Sequence, residues 1–249
     1  MTRKLEVSKK AGRSQRRQYD VSEEFEDVRF TRPAPKRSVE PIKPMNINQG
    51  RYIDAMRSYQ LVFASGPAGT GKTWLCAALA SEMLESGQID KIVITRPAVE
   101  AGESLGFLPG ELKEKFDPYL QPFRDALNER LGKTHVDYLI KRGTIEASPL
   151  AYMRGKTFKN AFVILDEAQN TTPTQMKMFL TRIGNDTTVV VNGDQAQKDV
   201  RGESGLVDAI RRLSFIPSVK HVSFTKADIV RSGLCQEIVS AYDEEPTLH

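Results

Sequence analysis

The stretch "QLVFASGPAGTGKTWLCAALASEMLES", residues 60–86, leaves little freedom to the fold around it. A short apolar, β-prone run ends in a glycine-rich turn, and the turn opens directly onto a helical pattern. Strand, loop, Lys-Thr pair and helix coincide in the order G-x-x-x-x-G-K-[ST] requires, so a chance glycine-rich turn is a poor explanation. In this setting Gly66, Pro67, Ala68, Gly69, Thr70, Gly71, Lys72 and Thr73 wrap phosphate oxygens. Backbone N–H groups turn inward there, and the helix N-terminus adds its partial positive charge. Lys72 is expected on the β- and γ-phosphates and Thr73 on Mg²⁺. The implied cofactors are ATP and Mg²⁺.

The rest of the chain supplies the sheet such a loop needs. Apolar runs near residues 60–64, 91–95, 143–147, 161–165, 187–192 and 219–224 alternate with helical patterns. That alternation predicts an α/β fold, a mainly parallel sheet flanked by helices. In "TPTQMKMFLTRIG" the spacing predicts a helix opened by Thr172, with Pro173 at its first position and Gly184 closing it. Met176, Leu180 and Ile183 share its apolar stripe. Residues 97–135 are longer than an ordinary crossover and mix turns with two helix-like pieces.

Charge divides the chain. Residues 1–17 carry Arg3, Lys4, Lys9, Lys10, Arg13, Arg16 and Arg17 against Glu6 alone, so about +6 of basic charge sits there, within a net +4 for the whole. "RPAPKRSVEPIKP" follows and favours an extended connection. Residues 1–44 therefore read as a basic, Pro-containing disordered extension, and residues 45–249 as one domain. The basic arm suits a phosphate backbone held without sequence readout, or a solvated leader. No apolar run approaches the roughly 18 residues of a membrane span, so a cytoplasmic protein is expected. Cys76 and Cys235 stand far apart without a CxxC partner, which favours two buried free thiols.

Two further stretches complete the phosphate chemistry. "VILDEAQNTT", Val163 to Thr172, is a buried-strand pattern ending in adjacent carboxylates. A strand end delivers Asp166 to the sheet edge where open α/β sheets bind ligands, positioned to hold Mg²⁺ through water. Glu167, one residue on, points elsewhere and suits activation of an attacking water, which favours an NTPase over a small-molecule kinase. "VVVNGDQAQ", Val189 to Gln197, brings Asp194 and Gln197 toward the same edge through a turn at Gly193. Gln197 is expected to sense the γ-phosphate.

"GPAGTGKT", "DEAQ" and "GDQAQ", in this order, resemble motifs I, II and III of superfamily 1 helicases. Gln49 in "NINQGRYIDAM" is similar to the adenine-reading glutamine of those motors. "TRPAVEAGESLGFLPGELKEKFDPYLQP" and "IEASPLAYMRGKTFKNAFVILDEAQNTTPTQMKMFLTRIG" extend the resemblance, over roughly residues 45–243, to the PhoH-like family of P-loop ATPases. The resemblance implies a RecA-like P-loop NTPase domain, a single helicase-like motor core, with links to phosphate starvation and RNA metabolism. Lys72, Thr73, Asp166, Glu167 and Gln197 keep their roles. "KDVRGESGL" departs from the family pattern and leaves Arg201 as an extra candidate near the nucleotide.

Two-domain helicases close the cleft with arginines of the second domain, and about fifty residues follow Gln197 here. Such an arginine is worth roughly three to five orders of magnitude in related NTPases. A neighbouring subunit is therefore expected to supply it within a homo-oligomer, a hexameric ring being favoured. Arg231 is the first candidate, then Arg182 and Arg154. Thr95 and Arg96 occupy the place where such helicases touch single-stranded backbone. Phe116, Tyr119 and Phe123 offer stacking faces, with the core as a competing place for Phe116 and Phe123. The expectation is a motor-like ATPase acting on RNA or single-stranded DNA. The alternative is a nucleotide-controlled scaffold or regulator without translocation.

Overall fold

The computed structural model describes residues 40–97, 112–197, 199–200, 202–230 and 233, without the side chains of residues 112–119. Chain contacts divide the protein into Met1–Ser38 and Val39–His249, and every described residue belongs to the second unit. Residues 40–44 already pack onto it, since buried Arg130 donates to the Glu40 carbonyl at 2.6 Å and Ile42 lies against the core.

Six strands form one sheet: β1 Leu61–Ser65, β2 Lys91–Arg96, β3 Ile145–Pro149, β4 Ala161–Leu165, β5 Thr187–Gly193 and β6 Val219–Ser223. Their order is β3-β2-β4-β5-β1-β6, and all five pairings are parallel. The helices are α1 Ile47–Ser58, α2 Lys72–Glu85, α3 Leu112–Leu131, α4 Lys133–Lys141, α5 Pro173–Leu180 and α6 Gly205–Leu213. This is the expected RecA-like arrangement, a parallel sheet with helices on both faces. Among the described residues no helix is long and apolar enough to cross a membrane.

Strand periodicity sorts the core into two layers, because successive side chains point to opposite faces. In β4, Phe162 and Ile164 join the layer of α1 to α4, with Tyr52, Leu75, Leu79, Phe123 and Leu127. Ala161, Val163 and Leu165 join the layer of α5 and α6, with Met176, Phe179, Leu206 and Ala209. With both faces covered, β4 is buried at every position, which is why it reads as an unbroken apolar run.

Two local expectations shift. The third strand begins at Ile145 rather than at Gly143, because Gly143 ends α4. Gly143 has φ +74° and its N–H bonds the Ile140 carbonyl, while the Thr144 N–H reaches back to Leu139. That is a Schellman closure, which needs a left-handed residue. Helix α5 has the expected Thr172 cap and Pro173, with Gln175 completing a capping box, yet it stops at Leu180. Its buried stripe is Met176 and Phe179, whereas Leu180 and Ile183 are only partly buried. Gly184 lies beyond the helix, pressed so closely on the Phe158 carbonyl that a Cβ would stand 2.2 Å from it.

The topology also locates the cleft. β1 is followed by α2 on one face and its neighbour β5 by α6 on the other. The chain thus diverges between the carboxyl ends of β1 and β5, which is where open α/β sheets form a ligand crevice.

Candidate nucleotide site

A cleft of about 350 Å³ opens at that point, lined by residues 68–74, Arg96, Pro122, Asp166, Glu167, Gly193, Asp194 and Gln197. Lys72, Thr73, Asp166, Glu167 and Gln197, separated by up to 125 positions in sequence, are therefore brought together.

The phosphate loop is braced on every side. Strand pairing sets Ser65 beside Gly193, and the Gly66 N–H donates to the Gly193 carbonyl at 3.1 Å. Phe224 packs against Gly66 and the Val230 N–H donates to Gly69 at 3.0 Å. Gln49, 2% exposed, accepts from the Met45 N–H at 2.8 Å and donates to the Thr70 carbonyl at 3.1 Å. Its carboxamide supports the loop from within, and contact with an adenine would compete with those two bonds.

Lys72 is itself folded into this loop. Its ammonium donates to the carbonyls of Gly66 at 2.7 Å and Pro67 at 2.8 Å and to the Thr70 hydroxyl at 3.2 Å. Burial lowers its pKa, while Asp194, Asp166 and Glu167 pull the other way. Behind the loop, Tyr52 donates to Asn192 at 2.7 Å and Asn192 to the Cys76 sulfur at 3.4 Å, fastening α1 and α2 to β5. Burial pushes the Cys76 thiol up to about 12, so it stays a protonated, unreactive part of the core. Cys235 lies outside the described residues.

The two carboxylates diverge as their adjacency suggested. Asp166 continues β4 and is buried, with its N–H on the Thr95 carbonyl at 2.9 Å. Glu167 then takes φ +53°, a left-handed conformation that costs a side-chain-bearing residue about 1–3 kcal/mol. That turn sends its carboxylate to the cleft surface, 43% exposed against 6% for Asp166.

Arg96 is the residue whose position sequence reasoning missed. The β2/β4 register pairs Thr95 with Leu165, so Arg96 ends up beside Asp166. It donates to Asp166 Oδ2 through Nε at 3.1 Å and Nη2 at 2.5 Å, lies 3.7 Å from Glu167, and sits over the Phe123 ring. Burial pushes the Asp166 carboxyl above the usual carboxylate range, and the Arg96 guanidinium opposes that push. Arg96 thus lines the cleft. Thr95 is fully buried, and its hydroxyl has no hydrogen-bond partner among the described residues. Phe123 is fully buried in the core and offers no stacking face, while the side chains of Phe116 and Tyr119 lie outside the described residues.

Gln169 also had no assigned role. Only 1% exposed, it donates to Glu167 Oε2 at 2.7 Å and accepts from the Asp194 N–H at 3.0 Å. One side chain therefore ties the acidic turn to the turn carrying Gln197, whose own side chain is exposed at the cleft mouth. Glycine at 193 permits this approach, since a Cβ there would stand 2.7 Å from Leu206 and 2.8 Å from Gln169 Oε1. Gly193→Ala is expected to cost about 1–3 kcal/mol by overpacking, measured as a lower urea midpoint at unchanged slope.

Of the arginines considered for a neighbouring site, Arg231 lies outside the described residues, as does Arg201. Arg182 lies at the opposite end of the sheet, where its carbonyl accepts from the Phe158 N–H ahead of β4, and its Nε is buried without a partner among the described residues. Arg154 is exposed in the connection between β3 and β4.

The residues present fit a magnesium ion bound together with nucleotide. Asp166 and Thr73 line one cleft, and a magnesium site shared with phosphate oxygens needs only one or two protein carboxylates. A PhoH-like protein of Bacillus subtilis is 52% identical over 206 residues, which are 82% of this chain and 65% of that protein. Protein PhoH of Escherichia coli K12 is 51% identical over 210 residues, 83% of this chain and 59% of its own length. The chain thus spans about three fifths of the length of these relatives. Among solved structures, the Pif1 helicase of Candida albicans aligns with 74% of this chain and 40% of its own at 12% identity, with a TM-score of 0.38. The family model described as PhoH-like protein matches residues 41–243, nearly the whole of the described domain, and the chain belongs to that family.

Proposed function

We propose that this chain is an Mg²⁺-dependent ATPase that works as a motor-like oligomer on RNA or single-stranded DNA. The observation that carries the hydrolytic part is the divergence of Asp166 and Glu167 within the cleft that also holds Lys72. A buried carboxylate beside the phosphate loop suits the metal, and an exposed one beside it suits a water. Glu167 is oriented by Gln169, so its carboxylate has a defined direction in which to accept a proton from that water. Gln169 also contacts the Asp194 backbone, which supports Gln197 as the group that registers the terminal phosphate.

Charge supports the metal dependence. The cleft lining carries Lys72 and Arg96 against Asp166, Glu167 and Asp194, so a bound polyphosphate calls for additional positive charge. Mg²⁺ supplies it at the phosphates when bound, with Thr73 and Asp166 as the protein groups that hold it. An arginine from an adjacent copy supplies it in the transition state. Ala68 and Gln197, which line the cleft, are exposed, so a residue of an adjacent copy could reach them. A hexameric ring, with Arg231 ahead of Arg182 and Arg154 as the donor, remains our preferred assembly.

The polymer substrate rests on the order of the three motifs and on the basic residues 1–17. Steady-state ATP hydrolysis is to be measured with and without RNA and single-stranded DNA, alongside polymer binding. Stimulation by either polymer supports the motor. Hydrolysis indifferent to both, with no polymer bound, sinks it in favour of a nucleotide-controlled scaffold or regulator.

A further inference from the structure

Arg96 is held in a place where two functions compete. Its guanidinium covers Asp166 Oδ2 with two donors and lies 3.7 Å from Glu167, so it offsets part of the charge of the two carboxylates at the strand end. Both carboxylate residues line the cleft that Lys72 and Thr73 also line. Asp166 would hold the cation of a bound magnesium nucleotide and would then no longer need an arginine. A guanidinium only 15% exposed does not give up a charged partner without gaining another. A terminal phosphate is an anion delivered into the same cleft, and its oxygens match the planar two-donor edge that Asp166 engages. A nucleoside diphosphate ends at the β-phosphate and lacks the γ-phosphate that distinguishes the triphosphate.

We propose that Arg96, in addition to Gln197, is a residue through which this site distinguishes a nucleoside triphosphate from a diphosphate, pairing with Asp166 until the γ-phosphate takes the place of that carboxylate. This rests on the nucleotide-binding reading of the cleft and deepens it. Arg96 acts in the bound ground state within its own chain, so it is separate from any arginine a neighbouring copy contributes to hydrolysis. The register that aligns β2 with β4 sets its position, since one residue beyond the Thr95–Leu165 pair places Arg96 alongside Asp166.

The experiment is an equilibrium titration with Mg·ADP and with the magnesium complex of a non-hydrolysable ATP analogue. Binding is read by calorimetry and by the fluorescence of Trp74, the single tryptophan, which lines the cleft. In the unaltered protein the analogue binds more tightly than ADP. Arg96→Ala is expected to reduce that preference about ten- to a hundredfold, chiefly by weakening the analogue. Arg96→Gln keeps a donor for Asp166 without the charge, serves if the alanine variant does not fold, and is expected to lose most of the same preference. Equal weakening of both ligands, or an unchanged ratio in either folded variant, overturns the proposal while leaving nucleotide binding intact. Failure of the unaltered protein to bind either ligand removes the nucleotide reading and the proposal together.

Discussion

Glu167→Gln is expected to lower ATP turnover by about two to four orders of magnitude, the range for loss of a general base, while nucleotide binding persists. The substitution keeps the size of the side chain and an acceptor for the Gln169 amide, which now bonds Glu167 Oε2 at 2.7 Å, so the turn has no reason to rearrange. What it removes is the capacity to take a proton from water. Single-turnover hydrolysis alongside a binding titration separates the two effects. Full turnover in this variant overturns the assignment of Glu167. Binding lost in parallel with turnover points instead to a structural role at the left-handed turn.

Lys72→Ala is expected to act on the other term and weaken ATP at least about a hundredfold, since it removes charge-assisted bonds to two phosphate groups. The structure adds a second contribution. Lys72 also satisfies the Gly66 and Pro67 carbonyls and the Thr70 hydroxyl, so its removal loosens the loop that must receive the phosphates. Lys72→Met keeps most of the buried stem and isolates the charge. Tight binding by both variants, followed through Trp74 fluorescence, overturns the phosphate assignment.

The placement of these two residues is legible in the sequence because it is set by local order. A loop of fixed length between strand and helix, and an apolar run ending in adjacent carboxylates, each specify geometry within a few residues. The strands were legible for a related reason. With helices covering both faces, most strand positions in the sheet interior are buried, and unbroken β-branched runs such as Val189 to Val191 stand out. The boundaries that shifted, at Gly143 and after Leu180, depend on how a helix ends. There a left-handed closure or a neighbouring segment outweighs the apolar period.

Arg96 shows what local order omits. Nothing in "VITRPA" marks its guanidinium as the partner of a carboxylate 70 positions later, and its place after the second strand suggested contact with a polymer instead. Phe123, for which the core is the stronger expectation, packs there beneath that same arginine. Gln49 and Gln169 were visible as glutamines, yet the Thr70 carbonyl, Glu167 and the Asp194 N–H they engage come together only when the strand ends align.

By itself, then, the sequence determined the parallel α/β architecture, the phosphate loop and the two carboxylates, because strand periodicity, loop length and residue adjacency act over a few positions of chain. Tertiary structure decided which cation pairs with Asp166, which side chain joins the acidic turn to the Gln197 turn, and that Phe123 belongs to the core. Those outcomes depend on strand order and register, which align groups remote in sequence to within hydrogen-bonding distance, where burial favours the pairing of most polar groups.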